Sequence, residues 1–309
     1  MWKYYTLLVT YWLLGRLPLR VNYGIARLVA DAVFVLRADI RRHVEANMRQ
    51  VLGPEASQSS VRGAAREAVR NAGRYYADLI GLPRMDLRRF CEHRLTVEGL
   101  HHLQKTLAEG RGAVLASAHF GNPEIVVQAL ALGIRVLALV EPLQPPQLLR
   151  LTQRLRSAHG HMYLPANLSG VKEALRYLRN GGTVAVLIDR DIHGRGVLLP
   201  FCGRPAPMPM GAVALALRTG ADLIPSFVHR EHGFRYHAYM GPPLSLVRTG
   251  DEQQDLRINT ANLLACFEEH LHSDPGQWAI LQPVWTNCES NSTSWQAPKD
   301  NLHELQTNR

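Results

Sequence analysis

The chain opens on an apolar, aromatic run, YYTLLVTYWLLG at residues 4–15, with Lys3 before it and Arg16 and Arg20 after it. A second run, VNYGIARLVADAVFVLRA at residues 21–38, is broken by Arg27 and Asp31. A helix of twelve residues spans only ~18 Å, short of the ~30 Å of hydrocarbon in a bilayer. The thin positive start and the lack of a small-residue cleavage site also make a poor secretory signal. The two runs predict short helices lying at a membrane interface, with Trp and Tyr at head-group depth and Arg reaching back to water. A single transmembrane anchor and an ordinary core helix are the alternatives.

Helical spacing continues from about residue 37 to 80. RADIRRHVEANMRQVLG stops at Gly53-Pro54, and the next segment repeats apolar positions at Val61, Ala65, Val69, Tyr76 and Ile80. After Gly110-Arg111-Gly112 the pattern changes. AVLASA, RVLALV (135–140), MYLPA and TVAVLID (183–189) are short apolar runs that predict buried strands, separated by helical segments such as HFGNPEIVVQALALG and VKEALRYLRNG. DRDIHGRGVLLPFCGRPAPMPM lacks helical periodicity and reads as a long loop. GAVALALRTGA then predicts a helix, DLIPSFVHR a strand, FRYHAYMGPPL its antiparallel neighbour, and LRINTANLLACFEEHLHSDP a closing helix. Strands alternating with helices predict a three-layer α/β domain with a mostly parallel central sheet. The tail beyond about 288 is polar.

Composition sharpens this picture in two places. Residues 1–95 hold 16 Lys and Arg against 8 Asp and Glu, most of the chain's net +9. Such a surplus suits anionic lipid head groups or nucleic acid. Arginines 41, 42, 49, 62, 66, 70 and 74 would form a phosphate-contacting face in the second case, but they adjoin the apolar N-terminus and no nucleic-acid module is present. The four cysteines are widely spaced without a CxxC pair, which argues against a disulfide scaffold or a zinc ribbon.

Side chains at the carboxyl ends of strands are the favoured place for a site in such a sheet. AVLASA runs into His119-Phe-Gly-Asn122-Pro-Glu124, in which a histidine suited to general-base work is followed five positions later by a carboxylate. If a helix begins between them, Glu124 can fold back onto the imidazole and fix its tautomer. The alternative is a loop histidine bonded to a helix-terminal glutamate. The second segment, VAVLI-Asp189-Arg190-Asp191, continues to Arg195 and Arg204, whose guanidinium forks suit phosphates; an internal Asp–Arg network is the plain reading. No HExxH, GxSxG, GxGxxG or P-loop occurs, so no metal, hydrolase elbow or nucleotide is indicated.

RRHVEANMRQVLG, AVLASAHFGNPE, the series from DRDIHGRG through PFCGRPAPMPMGAVALALRTGADLIPSFVHR, and DPGQWAILQPVW together resemble the bacterial lysophospholipid acyltransferase superfamily. The branch is that of lipid A biosynthesis lauroyl/myristoyl acyltransferases and phosphatidylinositol mannoside acyltransferases. Two positions depart from its pattern: Phe201-Cys202-Gly203 where Phe-Phe-Gly is common, and Met208 where Thr usually precedes Pro-x-Gly.

The resemblance implies interfacial membrane-associated helices at 1–38, one α/β acyltransferase domain at 39–290 and a polar tail at 291–309. It implies transfer of a fatty acyl group from acyl-CoA or acyl carrier protein to a hydroxyl of a membrane glycolipid or phospholipid. His119 would be the general base and Glu124 its support. Asn122, Asp189, Arg190, Asp191, Arg195 and Arg204 would bind substrates, without metal or cofactor; Asp189 and Asp191 could order sugar hydroxyls or assist the histidine, and the sequence does not separate those roles. The expected place is the cytoplasmic face of the bacterial inner membrane, peripheral or N-terminally anchored, with no nucleic-acid partner. A simple lysophospholipid acceptor and a non-catalytic lipid-binding protein are the competing readings.

Overall fold

Five short, nearly uninterrupted apolar runs organise the protein, because a strand with helices on both sides must be apolar on both faces. A computed structural model describes residues 1–192 and 194–285; the expected tail at 291–309 lies outside them. Four helices come first: α1 (Trp2–Leu14), α2 (Leu19–Leu36), α3 (Ala38–Leu52) and α4 (Gln58–Gly81). They are followed by α5 (Leu87–Arg94), β1 (Leu95–Glu98), α6 (Leu100–Ala108), β2 (Ala113–Ser117), α7 (Pro123–Leu130) and β3 (Val136–Val140). Then come α8 (Pro146–Arg156), β4 (Met162–Pro165), α9 (Leu168–Arg179) and β5 (Thr183–Leu187). The chain closes with β6 (Val197–Phe201), β7 (Arg204–Met208), α10 (Gly211–Thr219), β8 (Asp222–Glu231), β9 (Arg235–Met240) and α11 (Glu252–Ser273).

Seven strands form one sheet in the order β1-β9-β8-β2-β5-β3-β4. Every neighbouring pair is parallel except β8–β9, as the sequence predicts for FRYHAYM. Alternate residues of β2 feed two cores. Val114 and Ala116 join Ala174 and Leu178 of α9 with Ala212 and Val213 of α10. Ala113 and Leu115 join Phe90 of α5, Leu103 of α6, Ile125 of α7 and Leu155 of α8. Helices therefore cover both faces of a mixed, mostly parallel sheet.

The expected long loop after Asp189 is instead a separate antiparallel hairpin, β6–β7. Its three prolines, Pro200, Pro205 and Pro207, obscure the strand signal; a two-stranded ribbon with open edges tolerates them. Among the described residues no helix is long and apolar enough to cross a membrane. Helices α1 and α2 nonetheless leave Trp2, Trp12, Leu13, Leu28, Val35 and Leu36 exposed. Meanwhile Leu7 packs with Ile80 and Leu148, and Ala30 and Phe34 enter the main core.

Candidate active site

The register of two central strands builds the site. β2 and β5 run parallel with Ser117 opposite Leu187, and Ile188 N–H still donates to the Ser117 carbonyl at 2.8 Å. Two residues beyond each paired end stand His119 and Asp189, brought side by side from 70 positions apart. His119 Nδ1 lies 3.0 Å from Asp189 Oδ1, and the His119 backbone N–H donates to Oδ2 at 2.8 Å. Trp278 Nε1–H donates to the same Oδ2 at 2.8 Å.

Asp189 is fully buried, while the His119 side chain is about a third exposed. Burial opposes the Asp189 charge, but the facing His119 and the hydrogen bonds from His119 and Trp278 outweigh it and hold the carboxyl below its usual range. An ionised Asp189 can only accept, so His119 Nδ1 carries a hydrogen, and in the neutral tautomer this sets, Nε2 is the nitrogen with the lone pair.

The loop between β2 and α7 is pinned from outside. Gly121 has φ +60°, and a Cβ there would stand 1.9 Å from the Val228 carbonyl oxygen, so only glycine fits. Gly121 N–H donates to the Gln277 carbonyl and Ala279 N–H to that of His119, which ties the loop to the Gln277-Trp278 segment. Asn71 Nδ2 donates to both the Gly121 and the Gln277 carbonyls, at 3.0 and 2.6 Å.

Asn122 caps α7 by accepting from Glu124 N–H at 3.1 Å, and its Nδ2 donates to Asp78 Oδ2 at 2.7 Å. Asn122, expected to bind substrate, has no exposed surface, and both ends of its amide are engaged within the fold. Asp78 Oδ2 also accepts from Arg230 Nη2 at 2.8 Å and Tyr236 Oη at 3.0 Å, while its Oδ1 accepts from Tyr23 of α2.

Glu124 does not take the place expected for it. The imidazole partner is Asp189, and Glu124 faces Arg156 of α8, with Nε 3.0 Å from Oε2. Tyr163 donates to Glu124 Oε1, and Gln128 Nε2 donates to it at 3.1 Å. A pair buried this deeply needs such hydrogen bonds to offset its desolvation.

His119, Glu124 and Arg156 all border one cavity of about 520 Å³. Its walls are largely apolar, including Leu115, Val126, Leu130, Ala138 and Val186. Arg190 borders the same cavity and is held by Glu141, Nη1 to Oε2 at 2.6 Å. Asp191 accepts from Gly196 N–H at 2.6 Å, closing its own loop. Arg195 and Arg204 are exposed, and neither borders the cavity; Arg204 sits at the hairpin turn.

Much of the basic N-terminal face is also occupied. Arg66 and Arg70 pair with Asp31, Arg74 with Glu67, and Arg49 with the Ala56 carbonyl and Gln58. Arg156, Asp78, Arg230 and Trp278 carry no local signature. Arg230, at the end of the PSFVHR block, and Trp278, within the DPGQW block, lie in segments that carry the resemblance, but neither stands out there as a site residue.

A histidine with a buried carboxylate behind it, at the edge of a largely apolar cavity on a mostly parallel sheet, is an arrangement suited to acid–base chemistry beside an apolar group. The chain belongs to the bacterial lipid A biosynthesis acyltransferase family, whose profile matches residues 1–287. It is 32% identical over 249 residues to a phosphatidylinositol mannoside acyltransferase of Mycobacterium tuberculosis, covering 77% of this chain and 75% of that protein. A phosphatidylinositol mannoside acyltransferase of Mycolicibacterium smegmatis is 30% identical over 226 residues, 71% of each chain. Acyl transfer to glycolipid or phospholipid acceptors is the activity of this family at its broadest.

Proposed function

We propose that the protein moves a fatty acyl group from an acyl thioester, acyl-CoA or acyl carrier protein, to a hydroxyl of a membrane glycolipid, with His119 as general base. The observation that carries the reading is the His119–Asp189 hydrogen bond at the edge of the apolar cavity. His119 Nε2 takes the proton of the acceptor hydroxyl, whose oxygen forms a bond to the thioester carbonyl carbon. The tetrahedral oxyanion collapses, the carbon–sulfur bond breaks, and the leaving thiolate takes the proton back from the imidazolium. Asp189 stays ionised and offsets the imidazolium charge.

In this reading Glu124 supports the site through Arg156, keeping a cation at the cavity edge where negative charge develops. The apolar cavity receives the acyl chain, each buried methylene contributing about 0.8 kcal/mol. Arg190, which borders the cavity, supplies a guanidinium for a donor or acceptor phosphate. Arg195 and Arg204 would meet only the outer part of a large donor.

The exposed Trp and Leu side chains of α1 and α2, among Lys3, Arg16, Arg20 and Arg27, favour seating on an anionic bilayer without a span. That reading corresponds to a peripheral enzyme on the cytoplasmic face of the inner membrane.

Incubation with native membrane lipids and matched acyl-CoA and acyl carrier protein donors, followed by mass spectrometry, tests the proposal. A glycolipid gaining one acyl group, with no product from His119→Ala, is expected. Products confined to simple lysophospholipids would replace the acceptor. Lipid binding without any product would leave a lipid-binding protein.

A further inference from the structure

The hairpin β6–β7 turns at Cys202-Gly203, one of the positions where this chain departs from the common Phe-Phe-Gly. Both turn residues have positive φ, 47° and 76°, as a two-residue hairpin of the primed type requires. Asn, Asp and Gly suit that backbone; cysteine gains nothing there from conformation.

The turn is held firmly. Gln50 Nε2 donates to the Cys202 carbonyl at 2.7 Å, Cys202 N–H donates to Glu268 Oε1 at 2.9 Å, and Trp285 Nε1 donates to the Phe201 carbonyl at 3.3 Å. Glu268 and His272 lie one turn apart on α11, so they share a helix face. The Cys202 sulfur, a Glu268 carboxylate oxygen and a His272 ring nitrogen all lie within 4.8 Å of one another. No other trio of this kind occurs among the described residues. Cys202 is buried, Glu268 half-buried and His272 exposed, which leaves the group open to solvent on one side. None of the three borders the large cavity.

We infer that Cys202, Glu268 and His272 form a zinc site that fastens the hairpin β6–β7 to α11. Thiolate, imidazole and carboxylate are the donors zinc takes, at distances of about 2.0–2.3 Å, and a point central to this trio is no more than about 2.8 Å from each atom. Small side-chain rotations therefore complete three bonds, and water fills the fourth position on the exposed side. Calcium and magnesium call for all-oxygen sites, which the sulfur and nitrogen exclude. Binding releases the thiol proton to solvent, and the thiolate and carboxylate then balance the two charges of the ion.

The ion would brace an aromatic stack. Phe201, adjacent to Cys202, stacks on Phe267 and Trp285 and meets Trp278 edge-on, and Trp278 donates to Asp189. The site lies outside the cavity and stands whether or not the chain transfers acyl groups.

Full-length protein stripped with a chelator and titrated with Zn²⁺ against a chromophoric competitor tests the inference. One tightly bound ion per chain is expected, with affinity at least about a hundredfold lower in His272→Ala and in Cys202→Ser, since outer-shell changes alone cost 10–100-fold. Co²⁺ in its place should give a thiolate-to-metal absorption band that Cys202→Ser abolishes. The melting temperature should rise with Zn²⁺ in the wild type and not in His272→Ala. His272 is exposed, so its replacement spares the fold even if Cys202→Ser disturbs the turn. Wild-type affinity no higher than that of His272→Ala, or a cobalt spectrum without the sulfur band, would overturn the assignment.

Discussion

The Asp189 carboxylate holds His119 at two points, the imidazole Nδ1 at 3.0 Å and the backbone N–H at 2.8 Å. One side chain thus sets both the tautomer of the ring and the position of the residue that bears it. Glu124, five residues from His119, is engaged elsewhere.

Asp189→Asn should lower kcat by about 10³–10⁴ while leaving donor KM close to wild type, because an amide favours the wrong imidazole tautomer. Steady-state kinetics with an acyl thioester and a lipid acceptor check this, with circular dichroism confirming the fold. Unchanged turnover would remove Asp189 from the reaction.

Glu124→Ala should cost about 3–5 kcal/mol of stability, because it leaves the buried Arg156 charge without its carboxylate. Urea unfolding measures the loss. Glu124→Gln, which keeps the shape and loses the charge, should lower kcat more than it raises donor KM. The reverse pattern would give Glu124 a binding role.

Asp78 and Arg230 form the other deeply buried pair, with side chains 2% and 6% exposed. Asp78→Ala should destabilise the protein by about 3–5 kcal/mol. In Asp78→Asn the cap residue Asn122 loses a charged partner, so amide exchange in the His119–Gly121 loop should quicken. Exchange at the wild-type rate would show that the Asp78 charge does not help to hold the loop.

His270 supplies a pH dependence of stability. Burial, reinforced by the neighbouring His229, pushes its pKa down to about 4, and His229 Nε2 and His270 Nδ1 lie 3.0 Å apart. The unfolded chain binds this proton near pH 6.5, whereas the folded protein binds it only near pH 4. Stability is therefore full above the unfolded value and falls as pH drops from about 6.5 towards 4, by roughly 1–2 kcal/mol for this partly exposed ring. Unfolding curves at pH 7 and pH 5 should show the decline, and His270→Gln should flatten it. A variant with the wild-type slope would assign the effect to other groups.

The helices and strands around the site follow from local pattern. Apolar runs of five residues became β2, β3 and β5, and the Asn-Pro-Glu sequence began α7 with Asn122 as its cap. The covered sheet and the position of His119 just beyond a strand were legible for the same reason: side-chain period and capping are local properties. The exposed apolar residues of α1 and α2 were equally visible, since they arise from a composition that the core does not absorb. The hairpin β6–β7 was not, because its prolines hide the alternation.

The pairing of the site belongs to tertiary structure. Spacing offered Glu124 as a partner for His119 and the resemblance favoured it, yet a parallel register between β2 and β5 put Asp189 there, across 70 residues. Arg156, Asp78, Arg230 and Trp278 were likewise invisible as partners, for a buried polar group is chosen by what lies across the fold from it. Sequence by itself determined which residues could be a base and where the strands would end. Only the packing of the sheet decided which carboxylate the base would meet, since hydrogen bonds depend on distance in space and not along the chain.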